Sequence, residues 1–178
     1  MNATLPDENN TPEPRYVSGV ENAVRWITAG GASIAALMVL IVFSVVSYSV
    51  LMRYVLGTPV TITDELNGFL VVAMVSLGAG EVLLRDEHFG VDLLTGHAGE
   101  RLQKWIAVWG LVAVISVAAV ISYSAVLMVQ FSYDFEIYSN GYLGVAMWIP
   151  QTALLVGMII LIIAAGARMI SLLTDPGV

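Results

Sequence analysis

The chain has 178 residues, of which 58% are hydrophobic and only 12% charged, with a mean hydropathy of +0.84. Soluble domains are usually about a quarter charged, so this composition indicates a membrane protein. The net charge of −7, with only seven scattered Lys and Arg residues, argues against a nucleic-acid partner. Because the chain has no cysteine, disulfides, thiolate metal sites and iron–sulfur clusters are excluded.

The first 17 residues are polar and acidic, and they carry no positive charge before Arg15. They lack the basic start of a signal peptide, so we expect a disordered tail. Ser18 and Glu21 then have the spacing of a capping box, which predicts a helix start, and Trp26 follows as an interfacial anchor. Residues 26–52 are uncharged and long enough to cross a bilayer obliquely.

Three further apolar segments predict three more transmembrane helices, at about residues 64–84, 105–133 and 148–168. Thr63 supplies a helix cap for the second of them, and Asp64 and Glu65 supply acids for its first turn. Pro150 falls in the first turn of the fourth segment, where its missing N–H is no loss. The prediction is an all-α membrane protein with four transmembrane helices.

The Lys and Arg residues predict the orientation of these helices, because cytoplasmic loops are enriched in them. One side of the membrane has a single basic residue near a helix end, Arg53. The other side has most of them, namely Arg15, Arg25, Arg85, Arg101, Lys104 and Arg168. We therefore expect both termini in the cytoplasm, with one membrane domain at 18–172 between tails at 1–17 and 173–178.

The apolar stretch from Leu66 to Leu84 is interrupted only by Glu81, and charged residues inside a membrane are default functional candidates. It precedes Arg85 by four positions, in the favourable order of acid before base on a helix. An ion pair near the membrane interface is the favoured interpretation. A proton- or cation-binding carboxylate, or a contact with a helix of another protein, are the alternatives.

The two histidines, His88 and His97, both fall in the loop between the second and third segments, so a haem held between helices is not available. His88 and Asp92 lack a third ligand for a metal ion. We expect His88 to be an interfacial polar residue, and a structural contact with Asp92 or with a partner chain is the alternative. Arg85, His88 and Asp92 are predicted to form a turn at the cytoplasmic interface. No catalytic residue, cofactor or metal site is predicted.

Ser76, Gly78 and Gly80 give the second helix a surface of small residues, a composition that lets helices approach closely. Packing within this chain and packing on another chain are equally compatible with that surface.

The loop before the fourth helix carries Asp134 and Glu136 among Tyr133, Tyr138 and Tyr142, and it has no basic residue. A belt of aromatic residues with solvated acids is the favoured interpretation, and docking of a soluble protein is the alternative.

The four segments hold no charge pair in mid-membrane and no polar stripe for a solute. This pattern favours a scaffold that supports a larger membrane protein. Two rivals are a self-sufficient four-helix exporter that uses Glu81 and a membrane anchor for a redox enzyme.

The order of several short motifs resembles the small membrane subunit of tripartite ATP-independent periplasmic (TRAP) transporters. The similarity covers about residues 25–168. The motifs are Arg53-Tyr54, Asp64-Glu65, the stretch FLVVAMVSLGAGEVLLRDEH with the Val91-Asp92 that follows it, and Trp148-Ile149-Pro150. The chain departs from the family pattern at Thr61-Ile62 and Asn67-Gly68, where a tryptophan and an arginine are frequent, and at Glu81.

The resemblance implies a non-enzymatic subunit of a sodium-driven importer for a small organic acid, in the bacterial inner membrane. Its implied partners are a large multi-span permease, a periplasmic solute-binding protein and membrane lipid. Asp134 and Glu136 are candidates for docking the binding protein. Candidates for the subunit interface or for structural roles are Arg53, Asp64, Glu65, Ser76, Gly80, Glu81, Arg85, His88 and Asp92.

Overall fold

The computed structural model describes residues 19–58, 60–85 and 100–174. It contains four α-helices, each long and apolar enough to cross a membrane. They are α1 (Gly19–Val55), α2 (Ile62–Arg85), α3 (Glu100–Asp134) and α4 (Trp148–Thr174). The prediction of an all-helical fold with four such helices is confirmed. The predicted tail and capping box at the start of the chain, and the predicted turn with His88 and Asp92, lie outside the described residues.

Two of the helices are much longer than a bilayer requires. At about 1.5 Å per residue, the 37 residues of α1 and the 35 residues of α3 extend over about 50 Å or more. The hydrocarbon core of a bilayer is about 30 Å thick, so these helices tilt or project beyond it. α4 also continues beyond Arg168, where the predicted span ends, to Thr174.

The contacts between the helices form an open row, which we call the layer, in the order α1, α2, α4, α3. α2 packs between α1 and α4, and α1 touches α4 only lightly. Within the described ranges, α3 contacts α4 but neither α1 nor α2. We call the end where α1 and α3 finish the loop end, and the opposite end the terminal end.

Small residues bring α2 and α4 into close contact. A Cβ on Gly157 of α4 would overlap the backbone of Ser76, and a Cβ on Gly80 would lie 2.8 Å from Ile160 Cγ2. The Ser76 hydroxyl is buried and lies 2.8 Å from Val72 O in its own helix and 3.4 Å from Ala153 O in α4. The small-residue surface of α2 therefore packs within this chain.

α1 and α2 also approach closely, at two levels. A Cβ on Gly31 would lie 2.8 Å from the carbonyl oxygen of Leu77. Nearer the loop end, the buried hydroxyls of Thr63 and Ser49 lie 3.0 Å apart, and the Thr63 hydroxyl donates to Val60 O at 2.7 Å. Thr63 is thus the second residue of α2 and a contact with α1, so the prediction that it caps the helix is wrong.

The connection between α3 and α4 has a defined conformation that its sequence did not predict. Ser139 N donates to Val145 O at 2.8 Å, and Met147 N donates to Ile137 O at 2.9 Å. These two bonds pair the arms of a short hairpin, which we call the outer hairpin (residues 137–147). Gly144 has a φ of +56°, a conformation that favours glycine.

Candidate functional site

At the terminal end, Glu81 and Arg85 of α2 form a close ion pair. Arg85 Nε lies 2.7 Å from Glu81 Oε1, the i,i+4 contact that the sequence predicts. The Glu81 side chain is only 14% exposed, whereas the Arg85 side chain is 80% exposed. Glu81 therefore lies against the neighbouring helices, and Arg85 lies at the surface.

The Glu81 carboxylate also interacts with α1. The carboxylate lies close to the Thr28 hydroxyl and to Arg25, which both favour its charged form. The Thr28 hydroxyl donates to Arg25 O in its own helix at 3.1 Å. Thr28 is fully buried, and it packs close to Gly80. Glu81 thus joins α1 to α2 next to the point where α2 joins α4.

A second arginine, Arg168 of α4, contacts α2 at the same end. Arg168 Nη1 donates to the carbonyl oxygens of Leu83 and Leu84, each at 3.4 Å. The last carbonyl groups of a helix have no partner within the helix, so a guanidinium at this position satisfies them. Three helices are therefore connected by polar contacts at the terminal end.

At the loop end, Glu65 of α2 connects to the outer hairpin. Leu143 N donates to Glu65 Oε2 at 3.3 Å. The carboxylate occupies the space that a side chain at position 141 would need, which explains why that residue is Gly141. Glu65 Oε1 is buried and has no hydrogen-bond partner among the described residues. Glu65 therefore holds the outer hairpin against the start of α2.

The other three predicted acids at the loop end point into solvent. Asp64, Asp134 and Glu136 are all exposed, whereas Glu65 is half-buried. Glu136 has a φ of +48°, which is uncommon for a residue other than glycine. Of the four acids, Glu65 therefore makes a contact within the protein, and the other three are charges on its surface.

An aromatic pocket adjoins two of these surface acids. Its lining includes Asp134, Glu136, Tyr133, Tyr138 and Trp148, and its volume is about 430 Å³. The rings of Tyr133 and Trp148 meet edge to face, with centroids 6.1 Å apart and planes at 79°. The end of α3 and the start of α4 thus form one concave surface.

Of the remaining candidate residues, Arg53 is described by the structure, and His88 and Asp92 are not. Arg53 is exposed in the last turn of α1, where a positive charge suits the helix dipole. His88 and Asp92 lie outside the described residues, so their predicted contact stays a prediction. No group of three His, Cys, Asp or Glu side chains suitable for a metal ion occurs in the described part of the chain.

The sequence did not predict several of the residues that make these contacts. They are Thr28, Gly141, Gly157, and Leu83 and Leu84, whose carbonyl oxygens accept from Arg168. A turn signal was present at Asn140-Gly141, and small-residue spacing was present at Gly157. Neither signal identifies a partner. Thr28 carried no signal at all, because a lone threonine in an apolar helix is ordinary.

The model of the family described as "Tripartite ATP-independent periplasmic transporters, DctQ component" matches residues 38–175. The match spans all of α2, α3 and α4 and about the second half of α1. The chain belongs to this family. A search of curated proteins found no match.

Membership makes this DctQ protein the small component of a TRAP transporter and an integral protein of the inner membrane. The family is a transporter component and not an enzyme family. The resemblance inferred from the motifs is therefore confirmed.

Proposed function

We propose that this DctQ protein is a scaffold that supports the large permease of a TRAP transporter and does not itself carry the solute. The observation that carries this proposal is the single layer of helices, in which α3 contacts only α4 within the described ranges. The two helices at the ends of the row, α1 and α3, do not touch each other within the described ranges, so the row does not close around an interior path. Such an arrangement is better suited to enlarging the membrane-embedded surface of a neighbouring protein than to forming a path for a solute.

The exposed faces of the layer are apolar, which fits contact with lipid or with another membrane protein. Large side chains on α1 and α3 are mostly uncovered, including Phe43 at 71% and Val120 at 66% exposure. The large permease is the expected occupant of part of this surface, and membrane lipid covers the rest. Small polar contacts hold the layer together from within, so the whole unit is able to serve as a rigid flank.

The proposed orientation places the terminal end in the cytoplasm and the loop end in the periplasm. Arg25, Arg85 and Arg168 lie at the terminal end, and Arg53 is the basic residue of the described loop end. Cytoplasmic ends are enriched in Lys and Arg, which supports this orientation. Both chain termini would then be cytoplasmic.

Sodium-driven import of a small organic acid or related carboxylate is the activity we propose for the whole transporter. The support is family resemblance, because the residues that choose the solute would lie on the other components. For this chain we propose a further role, in which Asp64, Asp134 and Glu136 help dock the periplasmic solute-binding protein. Three exposed carboxylates on that side attract a basic surface and act mainly on the rate of encounter.

The turn that the sequence predicts after α2 is proposed as a contact with the large permease. Arg85 stands at its start with an 80% exposed side chain, and His88 and Asp92 follow in the sequence. Replacing His88 and Asp92 by alanine should lower co-purification of the permease without changing solute preference. A changed preference would contradict a supporting role.

The alternative hypothesis of a self-sufficient exporter relies on Glu81 as an essential carboxylate in the membrane. Glu81 is paired with Arg85 at 2.7 Å and lies close to Thr28, at the terminal end of α2. These contacts favour a structural carboxylate that joins two helices. The described residues give no support to the other alternative, a membrane anchor for a redox enzyme.

Reconstitution tests the scaffold proposal directly. Vesicles are prepared with the permease and binding protein, with or without this chain, and with this chain alone. We expect solute uptake only when the permease is present, and a large increase when this chain joins it. Uptake by this chain alone would overturn the proposal, as would full activity of the permease without it.

A further inference from the structure

We propose that the pocket beside the outer hairpin receives a positively charged side chain, an arginine or lysine, from the soluble solute-binding protein. We call it the aromatic–acid pocket, defined by Tyr133, Tyr138, Trp148, Asp134 and Glu136. The inference rests on the docking role proposed above, and it assigns that role to one concave site with one kind of occupant.

The walls of the pocket have the composition that binds organic cations. Three aromatic residues line it, and the faces of aromatic rings attract ammonium and guanidinium groups. Two carboxylates, Asp134 and Glu136, lie on the same lining and add full negative charges. Aromatic side chains alone would also bind an apolar ligand. The two carboxylates favour a cation because they carry negative charge.

These carboxylates have no basic neighbour to neutralise them. Neither Asp134 nor Glu136 forms an ion pair within the described residues. The sequence from Phe131 to Trp148 contains no Lys, Arg or His. The charge of the pocket is therefore uncompensated locally, and it is complementary to a cation delivered from outside.

The backbone around the pocket is held in place before any ligand arrives. Ile137 N donates to Ser132 O at 3.0 Å, and Met147 N donates to Ile137 O at 2.9 Å. The antiparallel bridge between Tyr138 and Ala146 ties the hairpin across its base. A backbone that is already ordered loses little conformational freedom on binding, which favours a specific contact.

Size and position favour a side chain of a protein over a free small cation. A volume of about 430 Å³ exceeds what one ammonium or guanidinium group needs, so it has room for the aliphatic stem of Arg or Lys. The pocket lies at the loop end, which is the proposed periplasmic side, where a soluble partner would land. A planar guanidinium is the better fit, since it stacks on aromatic rings and pairs with carboxylates.

The test uses the complete transporter in lipid nanodiscs and measures association and dissociation of its purified solute-binding protein. Tyr138→Leu removes one aromatic wall, and Tyr142→Leu is its matched control, because Tyr142 is a 78% exposed tyrosine of the same hairpin that does not line the pocket. Glu136→Gln removes one pocket charge, and Asp64→Asn, at the same end but outside the pocket, is its control.

We expect Tyr138→Leu and Glu136→Gln each to weaken binding by about three- to thirtyfold, mainly through faster dissociation. Tyr142→Leu should leave the affinity unchanged. Asp64→Asn should slow association at low salt and have little effect at about 0.15 M salt, where exposed charges are screened. Tyr138→Phe keeps the ring, so it should bind as the unaltered chain does.

Two outcomes would overturn the inference, and they are distinguishable. If a transporter lacking this chain binds the solute-binding protein equally well, the docking role itself fails. If removal of the chain weakens binding but the pocket variants match their controls, the docking role stands and the pocket has no special part in it. Circular dichroism and co-purification of each variant with the permease verify that assembly is intact.

Discussion

Arg168 of α4 donates from Nη1 to the carbonyl oxygens of Leu83 and Leu84, and it thereby closes the C-terminal end of α2. Because Glu81 lies one turn earlier and contacts Thr28 of α1, the three helices meet through polar groups at one end. Two further polar contacts between helices lie elsewhere, Thr63 with Ser49 of α1 and Ser76 with Ala153 O of α4. The terminal end differs from them because charged side chains make its contacts.

Replacing Arg168 by leucine should destabilise the protein. The loss leaves two carbonyl oxygens near the membrane interface without their donor, which costs about 1–3 kcal/mol. Arg168→Lys should recover part of this stability, since an ammonium also donates to carbonyl oxygens. Thermal unfolding in detergent measures the effect. Arg53→Leu is the control, because Arg53 is an exposed arginine at the end of α1. Equal losses for positions 168 and 53 would show that the carbonyl contacts are unimportant.

Gly157→Ala should separate α2 from α4. The added methyl group would overlap the backbone of Ser76, and backbone is unable to move aside as a flexible side chain can. Overpacking of this kind costs about 1–3 kcal/mol. The control is Gly166→Ala in the same helix, where a Cβ would meet nothing within 4 Å. That variant should be neutral or slightly stabilising, because alanine is the better helix former.

The measurement for this pair is thermal unfolding together with co-purification of the large permease. A layer that depends on close α2–α4 contact should lose both when position 157 is changed and neither when position 166 is changed. If both variants behave alike, the close contact at Ser76 does not determine the packing of the layer.

Glu81→Gln should leave transport by the complete transporter nearly unchanged. The charge pair is lost, but Arg85 is 80% exposed and solvent can replace its partner, so the cost in stability is about 1 kcal/mol or less. Glutamine also keeps the size and shape of the side chain beside Thr28. Uptake is measured in vesicles across a range of pH. Abolished uptake with intact assembly would revive a transporting role for this carboxylate.

The hydropathy pattern was sufficient to predict four helices, and the i,i+4 spacing was sufficient to predict the contact between Glu81 and Arg85. Both signals are local, so they survive without knowledge of the tertiary fold. The spatial order of the helices was not predictable in this way, because apolar residues surround each helix and do not mark an inner face. For the same reason the sequence left open whether Ser76 and Gly80 pack within this chain.

The contacts of Glu65 and Arg168 were unpredictable for a different reason. Each joins a side chain to backbone groups about 80 positions away, and backbone groups are present at every residue. No residue type marks the partner in the sequence. The acids at the loop end therefore looked equivalent, although Glu65 holds the outer hairpin and Asp64 beside it is exposed.

Gly141→Ala should loosen the outer hairpin by displacing the Glu65 carboxylate. A Cβ at this position needs the space that the carboxylate fills, and Glu65 is a flexible side chain that swings away and gives up its bond with Leu143 N. The expected cost is about 1 kcal/mol, the usual net contribution of one hydrogen bond. Hydrogen exchange of the amides in residues 137–147 measures it, with faster exchange expected at Leu143.

Glu65→Ala provides the decisive comparison for this contact. It removes the carboxylate, so the hairpin loosens, but the space beside Gly141 becomes free. Gly141→Ala should then have no further effect in the Glu65→Ala background, and the two losses should be strongly non-additive. Independent, additive losses would mean that the alanine disturbs the turn through its own backbone and that Glu65 does not hold the hairpin through this contact.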